Sequence, residues 1–115
     1  MNNGIGKASE NEPTYTKIAN TGSYYDGSRS AAVTLSQDVK HGLIIGSCAD
    51  NGSSSPILSI SATKGTVTDL GGQNSYLNTG FYNYVHLYTL VDAPKGTKVT
   101  ITGSFIYTMA VFKID

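Results

Sequence analysis

The last third of the chain carries the clearest alternation of side chains. Between residues 84 and 91 two sets alternate: Val85, Leu87 and Val91 form one, and Tyr84, His86, Tyr88 and Leu90 form the other. A period of two predicts a β-strand. Residues 92–97 follow with Pro94 and Gly96, which favour turns, and residues 98–102 return with a second alternation. We therefore predict a hairpin that pairs these two strands.

The final segment is different because both of its predicted faces are apolar. Residues 105–114 form either a central strand or a strand that another subunit covers. Gly103 and Ser104, just before it, have two interpretations. The pair suits a type II′ hairpin turn, and a lone glycine inside one long strand also suits a bulge.

Shorter strand-like segments precede this region. They are residues 15–19, 31–35, 43–49, 57–62 and 66–70. Polar or glycine-rich stretches separate them, and we predict turns or loops at residues 37–42, 50–56, 71–72 and 73–80. The spacing predicts seven or eight strands in an antiparallel β-sandwich or barrel. We expect residues 1–13 to be a flexible arm or connector and residues 14–115 to be a single β-sandwich domain.

The composition of the chain argues against several classes of function. Eight basic and eight acidic residues give a net charge of zero, so the basic surface of a nucleic-acid-binding protein is not expected. The sequence has no run of about 20 apolar residues, so no membrane insertion is expected. Cys48 is the only cysteine, which rules out an internal disulfide, and its apolar neighbours predict a buried thiol.

The sequence has no catalytic motif. His41 and His86 are the only histidines, and we expect both at the surface; a hydrolase would need one of them beside a nucleophile. Residues 50–53 offer oxygen ligands, but no glutamate follows at the calcium-loop position, so an ordinary turn is expected. We predict no enzyme activity, no cofactor and no metal site.

Tyrosine is the most informative residue type for function. The chain has eight tyrosines and no tryptophan, and tyrosine offers a large ring with a hydrogen-bonding tip. Tyr84, His86 and Tyr88 could cover a sheet face by cross-strand pairing, form a subunit interface or bind a ligand. The pattern leaves these three alternatives open.

Four segments together resemble a known class of module. They are Gly-Leu-Ile-Ile-Gly-Ser at 42–47, the Ser/Gly/Pro loop that follows, residues 93–101, and Met-Ala-Val-Phe-Lys-Ile at 109–114. In this order they resemble jelly-roll modules of bacteriophage virion proteins, such as tail or head fibres and receptor-binding tips, over residues 30–115. The resemblance implies a jelly-roll β-sandwich of about eight strands, homotrimeric assembly and no catalytic residues.

We therefore predict a non-enzymatic, virion-associated module that binds a host surface, located on a virion or outside the cell. The alternative is a carbohydrate-binding accessory module of an extracellular bacterial protein. The expected partners are further copies of the chain, with a trimer favoured, and a cell-surface glycan. The predicted ligand-binding residues are Tyr24, Tyr25, Asp26, Tyr76, Asn78 and Tyr82. The predicted oligomer-interface residues are Tyr84, Tyr88, Phe105, Tyr107 and Met109.

Overall fold

A computed structural model describes residues 12–22, 24–25, 30–51, 58–76, 81–103 and 106–115. Within these ranges the chain forms nine strands and no helix. The strands are β1 (Tyr15–Asn20), β2 (Tyr24–Tyr25), β3 (Ser30–Thr34), β4 (Val39–Asn51), β5 (Leu58–Ala62), β6 (Thr66–Tyr76), β7 (Phe81–Ala93), β8 (Lys98–Gly103) and β9 (Ile106–Ile114). Most of the predicted arm, residues 1–11, lies outside the described residues.

The strands form two antiparallel sheets. The large sheet has the order β1-β9-β4-β7-β6, and β2 also pairs with β9; the small sheet has the order β3-β8-β5. From β3 onwards the chain moves repeatedly from one sheet to the other, so the two sheets form a β-sandwich. The predicted all-β sandwich is therefore confirmed. One departure is β6, which pairs with β7 and extends the large sheet at its edge.

The predicted hairpin between β7 and β8 is wrong, because the two strands lie in different sheets. Instead, the backbone of the turn between them hydrogen-bonds to Leu35, the residue that follows β3. The Leu35 amide donates to the Thr97 carbonyl at 2.8 Å, and the Gly96 amide donates to the Leu35 carbonyl at 2.9 Å. The connection thus carries the chain across the core, where Leu90 and Val99 are both fully buried.

Two predicted turns near glycines are also corrected. Gly71 and Gly72 do not turn the chain, because β6 continues through them to Tyr76 and so occupies part of the predicted loop at 73–80. The register between β6 and β7 shifts between Asp69 and Gly71, and Gly71 has φ of 104°. A carboxylate oxygen of Asp69 accepts from the Gly71 amide at 2.7 Å. The chain therefore forms a β-bulge at Leu70 and Gly71, and Gly72 pairs regularly after it.

The strand bounds settle two further points. β4 begins at Val39, inside the stretch predicted as a turn. β8 ends at Gly103 in the small sheet and β9 begins at Ile106 in the large sheet, so the residues between them connect two strands. Both predicted alternatives are therefore wrong, because β8 and β9 are neither one bulged strand nor the two paired strands of a hairpin.

The core lies between the two sheets. Its buried residues are Leu35, Val39, Ile44, Cys48, Tyr88, Leu90, Ala93, Val99, Ile101, Tyr107, Met109 and Val111. The predicted burial of the Cys48 thiol is confirmed. Three residues expected at an oligomer interface, Tyr88, Tyr107 and Met109, belong to this core and are at most 3% exposed, so they are not available to a partner. Phe105 lies outside the described residues.

The sides that face away from the core differ between the two sheets. On the small sheet this side carries Ser30, Ala32, Thr34, Ser59, Ser61, Lys98, Thr100 and Thr102. On the large sheet it carries, in the middle of the strands, Leu43, Ile45, Val85, Leu87, Ala110 and Phe112. We call this second set of six residues the outer face. All six are half-buried or exposed.

Candidate functional site

The two predicted ligand-binding segments reach the same end of the large sheet. One row of paired residues crosses the sheet there, through Tyr24, Tyr107, Cys48, Tyr84 and Asn74. The row spans four strand spacings of about 4.8 Å each. The segments near Tyr25 and Tyr76 therefore lie at opposite edges of the sheet, separated by three strands. Tyr82 pairs with Tyr76 and is half-buried. Asp26 and Asn78 lie outside the described residues.

A cavity of about 450 Å³ lies at this end of the large sheet. Its lining includes the polar side chains Ser47, Ser75, Asn83 and Thr108, with Ala49 and Val85. Hydroxyl and amide groups both donate and accept hydrogen bonds, so this lining matches the hydroxyl groups of a sugar. Sequence reasoning missed these residues because they come from four strands. The sign of these residues in the sequence is that they are polar and occupy strand positions on the same side of the sheet as the aliphatic outer face.

A second polar cluster lies on the core side of the large sheet, around His86. Its Nε2 is 2.8 Å from the Tyr84 hydroxyl, and its Nδ1 is 3.1 Å from the Tyr88 hydroxyl. Nδ1 is also 3.2 Å from a carboxylate oxygen of Asp69 on β6. His86 is buried, so its predicted surface position is wrong, whereas His41 is exposed as expected. The cluster fastens β6 to β7 through side chains.

The hydrogen-bonding roles in the cluster depend on the tautomer of His86. A carboxylate only accepts hydrogen bonds, so a hydrogen bond between Nδ1 and Asp69 requires the proton on Nδ1. In that tautomer of neutral His86, Nε2 accepts from the Tyr84 hydroxyl. Burial, followed by the nearby charge of Asp69, raises the pKa of Tyr88 to about 12. Tyr88 therefore keeps its proton at neutral pH.

Gly72 makes this arrangement possible. It pairs with His86 across the β6–β7 ladder. A Cβ atom on Gly72 would overlap the imidazole ring and would lie 2.6 Å from the Val85 carbonyl oxygen. Any side chain at position 72 would therefore displace His86 from its partners.

The raised pKa of Tyr88 predicts a loss of stability in alkaline solution. Folding favours the neutral phenol, so this contribution is complete below the unfolded pKa of 10.0 and disappears as the pH rises towards about 12. We expect the free energy of unfolding of the wild type to fall by about 2 kcal/mol more than that of Tyr88→Phe across this interval. Urea unfolding at several pH values measures the difference, and parallel curves for the two proteins would contradict it.

The chemistry of the His86 cluster is that of a buried polar network. The neighbours of His86 described above are two phenols and a carboxylate, with no serine or cysteine nucleophile among them. Among the described residues, no three His, Cys, Asp or Glu side chains come together in a way that could hold a metal ion. The cavity is therefore the better candidate for a binding site.

Three comparisons, with models of protein families, with curated proteins and with solved structures, found no match to this chain. The described part of the chain also contains no helix with the length and apolar character needed to cross a membrane. The resemblance to phage fibre modules stays a prediction.

Proposed function

We propose that the chain is a non-enzymatic, virion-associated module, the head domain of a fibre or other appendage, that binds a glycan on a host surface. The observation that supports this most directly is the cavity at one end of the large sheet. Binding sites for small molecules combine a few placed polar groups with apolar walls. Ser47, Asn83 and Thr108 supply polar groups here, and Ala49 supplies an apolar contact for the carbon face of a sugar ring.

The segments that contain the predicted tyrosines lie at the cavity end of the large sheet. Tyr24 and Tyr25 are in β2, and Tyr76 and Tyr82 pair across β6 and β7. Tyr82 alternates with Asn83 along β7, so it lies on the core side, opposite the cavity, and is not part of the proposed site. Because β2 and β6 are about 19 Å apart by strand spacing, only an oligosaccharide of several units could reach from the cavity towards both edges. The proposed ligand is therefore an extended glycan.

The alternative function is a carbohydrate-binding accessory module of an extracellular protein, and the cavity fits both. They differ in assembly, because fibre heads of the kind that the sequence resembles form homotrimers, whereas an accessory module is tethered as a monomer. The aliphatic outer face favours the module that assembles. Location on a virion or outside the cell belongs to the same proposal.

Glycan binding can be tested with the whole chain on an array of bacterial surface oligosaccharides. We expect Asn83→Ala to bind the best oligosaccharide about 10-fold more weakly than the wild type, since it loses a hydrogen-bonding amide from the cavity. The matched control is Asn74→Ala, on an exposed position of β6 that is not in the cavity lining. An array with no binding by the wild type, or equal binding by Asn83→Ala, would contradict the proposal.

A further inference from the structure

We propose that the outer face of the large sheet is an interface at which copies of this chain pack against one another. The six side chains of this face are aliphatic or aromatic, and the small sheet lies on the opposite side of the large one. Val85 is 44% exposed and Leu87 is 39% exposed. A sheet face that meets water normally carries polar side chains. The six residues of the outer face are apolar although they meet water, and the polar residues on the same side, Thr89 beside Leu43 and Ser47 beside Val85, lie next to them.

The contrast between the two sheets identifies the outer face as unusual. The exposed side of the small sheet consists of serine, threonine, a single alanine and Lys98. Both sheets belong to one domain in the same solvent, so composition alone does not account for the difference. A partner that covers the large sheet accounts for it.

The size of this side of the large sheet matches what an interface needs. The outer face itself lies on three strands, β4, β7 and β9, and measures about 24 Å by 14 Å, or about 340 Å². With the edge strands β1 and β6, the same side of the sheet measures about 24 Å by 24 Å, which is about 600 Å² for each copy and roughly 1,200 Å² for two. Specific interfaces begin at about 1,000 Å² in total.

The charge and shape of the face favour another copy of the same chain. None of its six residues is charged, so two such faces meet without repulsion and without unpaired buried charges. The nearest charged side chain by register is Lys17 on the edge strand β1, opposite Phe112. Beside the bulge in β6, a shallow cavity of about 320 Å³ is lined by Leu70, Val85 and Leu87. It offers an apolar recess for a side chain of the second copy.

The chain's own first residues are a poor cover for this face. Residues 1–11 contain only Met1 and Ile5 as large apolar side chains, whereas the face presents six. A charged partner would find no complementary charge there. A further copy supplies a matching set of apolar side chains by symmetry.

This inference changes the residues assigned to assembly. The interface predicted from the sequence included Tyr84, Tyr88, Tyr107 and Met109, which lie on the core side of their strands. The outer face uses the intervening residues of the same strands, such as Val85, Leu87 and Ala110. The inference does not depend on glycan binding, because assembly and binding are measured separately.

The test is the molar mass of the whole chain by light scattering across a range of concentrations. We expect a wild-type mass of at least twice the 12.1 kDa of one chain. Leu87→Lys places a charge in the middle of the outer face, and we expect it to weaken association by at least about 100-fold. The control Ser61→Lys adds the same charge to the exposed side of the small sheet, and we expect it to keep the wild-type mass.

A second, more conservative variant tests the interface even if Leu87→Lys prevents folding. The double change Val85→Thr and Leu87→Thr keeps residues that favour strands and removes apolar contact, and we expect folded protein, by circular dichroism, with about 10-fold weaker association. A dimer or a trimer that these changes disperse supports the inference. A wild type that stays monomeric at all concentrations overturns it, and so does an oligomer that the folded threonine variant leaves intact.

Discussion

Gly72→Ala is expected to lower the free energy of unfolding by about 3 kcal/mol. The new methyl group would overlap the His86 ring and approach the Val85 carbonyl, so the imidazole must leave its place between Tyr84, Tyr88 and Asp69. Those polar groups then lose a partner in a largely buried position, which adds to the steric cost. Urea unfolding of the two proteins at neutral pH measures the difference.

Two further variants separate the steric effect from a general effect of alanine. Gly22→Ala is the control, because a Cβ at Gly22 meets nothing within 4 Å, and we expect it to change stability by less than about 0.5 kcal/mol. In a His86→Ala background, Gly72→Ala should cost only about 1 kcal/mol, because two of the three atoms nearest to the new Cβ belong to the imidazole and are removed. An equal cost of Gly72→Ala in both backgrounds would show that His86 is not the group displaced.

The local parts of the fold were predictable from the sequence. The alternation in β7 and the apolar run in β9 are properties of neighbouring residues, and both strands are present. The burial of Cys48 followed equally from its apolar neighbours. Such predictions succeed because side chains two residues apart in a strand share a face.

The assignment of strands to sheets was not predictable in this way. Pro94 and Gly96 favour a turn whether the chain returns within one sheet or crosses to the other. The difference is made by Leu35, whose backbone bonds to Gly96 and Thr97 from more than 60 residues away in the sequence. Gly71 and Gly72 gave a similar ambiguity, since a bulge and a turn both use glycine.

Hydropathy also did not predict which set of β7 side chains faces the core. The more aliphatic set, with Val85 and Leu87, faces outwards, and the set with Tyr84 and His86 faces the core. The polar tips of the inner set are satisfied by one another and by Asp69, so their burial is not penalised. Neither Asp69 nor Gly72 is near this strand in sequence.

The candidate site was predictable only in part. Tyrosine-rich segments could be recognised by residue type, and their strands do end at one end of the large sheet. The cavity beside them could not be recognised, because Ser47, Asn83 and Thr108 are brought together by the register of β4, β7 and β9. Register across strands depends on the whole fold.

Two neighbouring isoleucines on β4 provide the sharpest test of which side of the large sheet faces the core. Ile44→Ala is expected to lower the free energy of unfolding by about 3 to 4 kcal/mol, since Ile44 is fully buried and the change leaves a cavity. Ile45→Ala is the matched control, with the same residue type one position further along the same central strand. We expect it to cost about 1 kcal/mol in the isolated chain, because Ile45 is only half-buried.

The dependence of stability on protein concentration also distinguishes the two sides of the large sheet. If the outer face joins copies of the chain, the wild type gains stability as its concentration rises. Ile45→Ala should then lose part of that gain, whereas Ile44→Ala should be destabilised by the same amount at low and high concentration. Urea unfolding of both variants at two concentrations measures this. If Ile45→Ala were the more damaging change at low concentration, the large sheet would have its other side towards the core, and both the His86 cluster and the outer face would have to be reassigned.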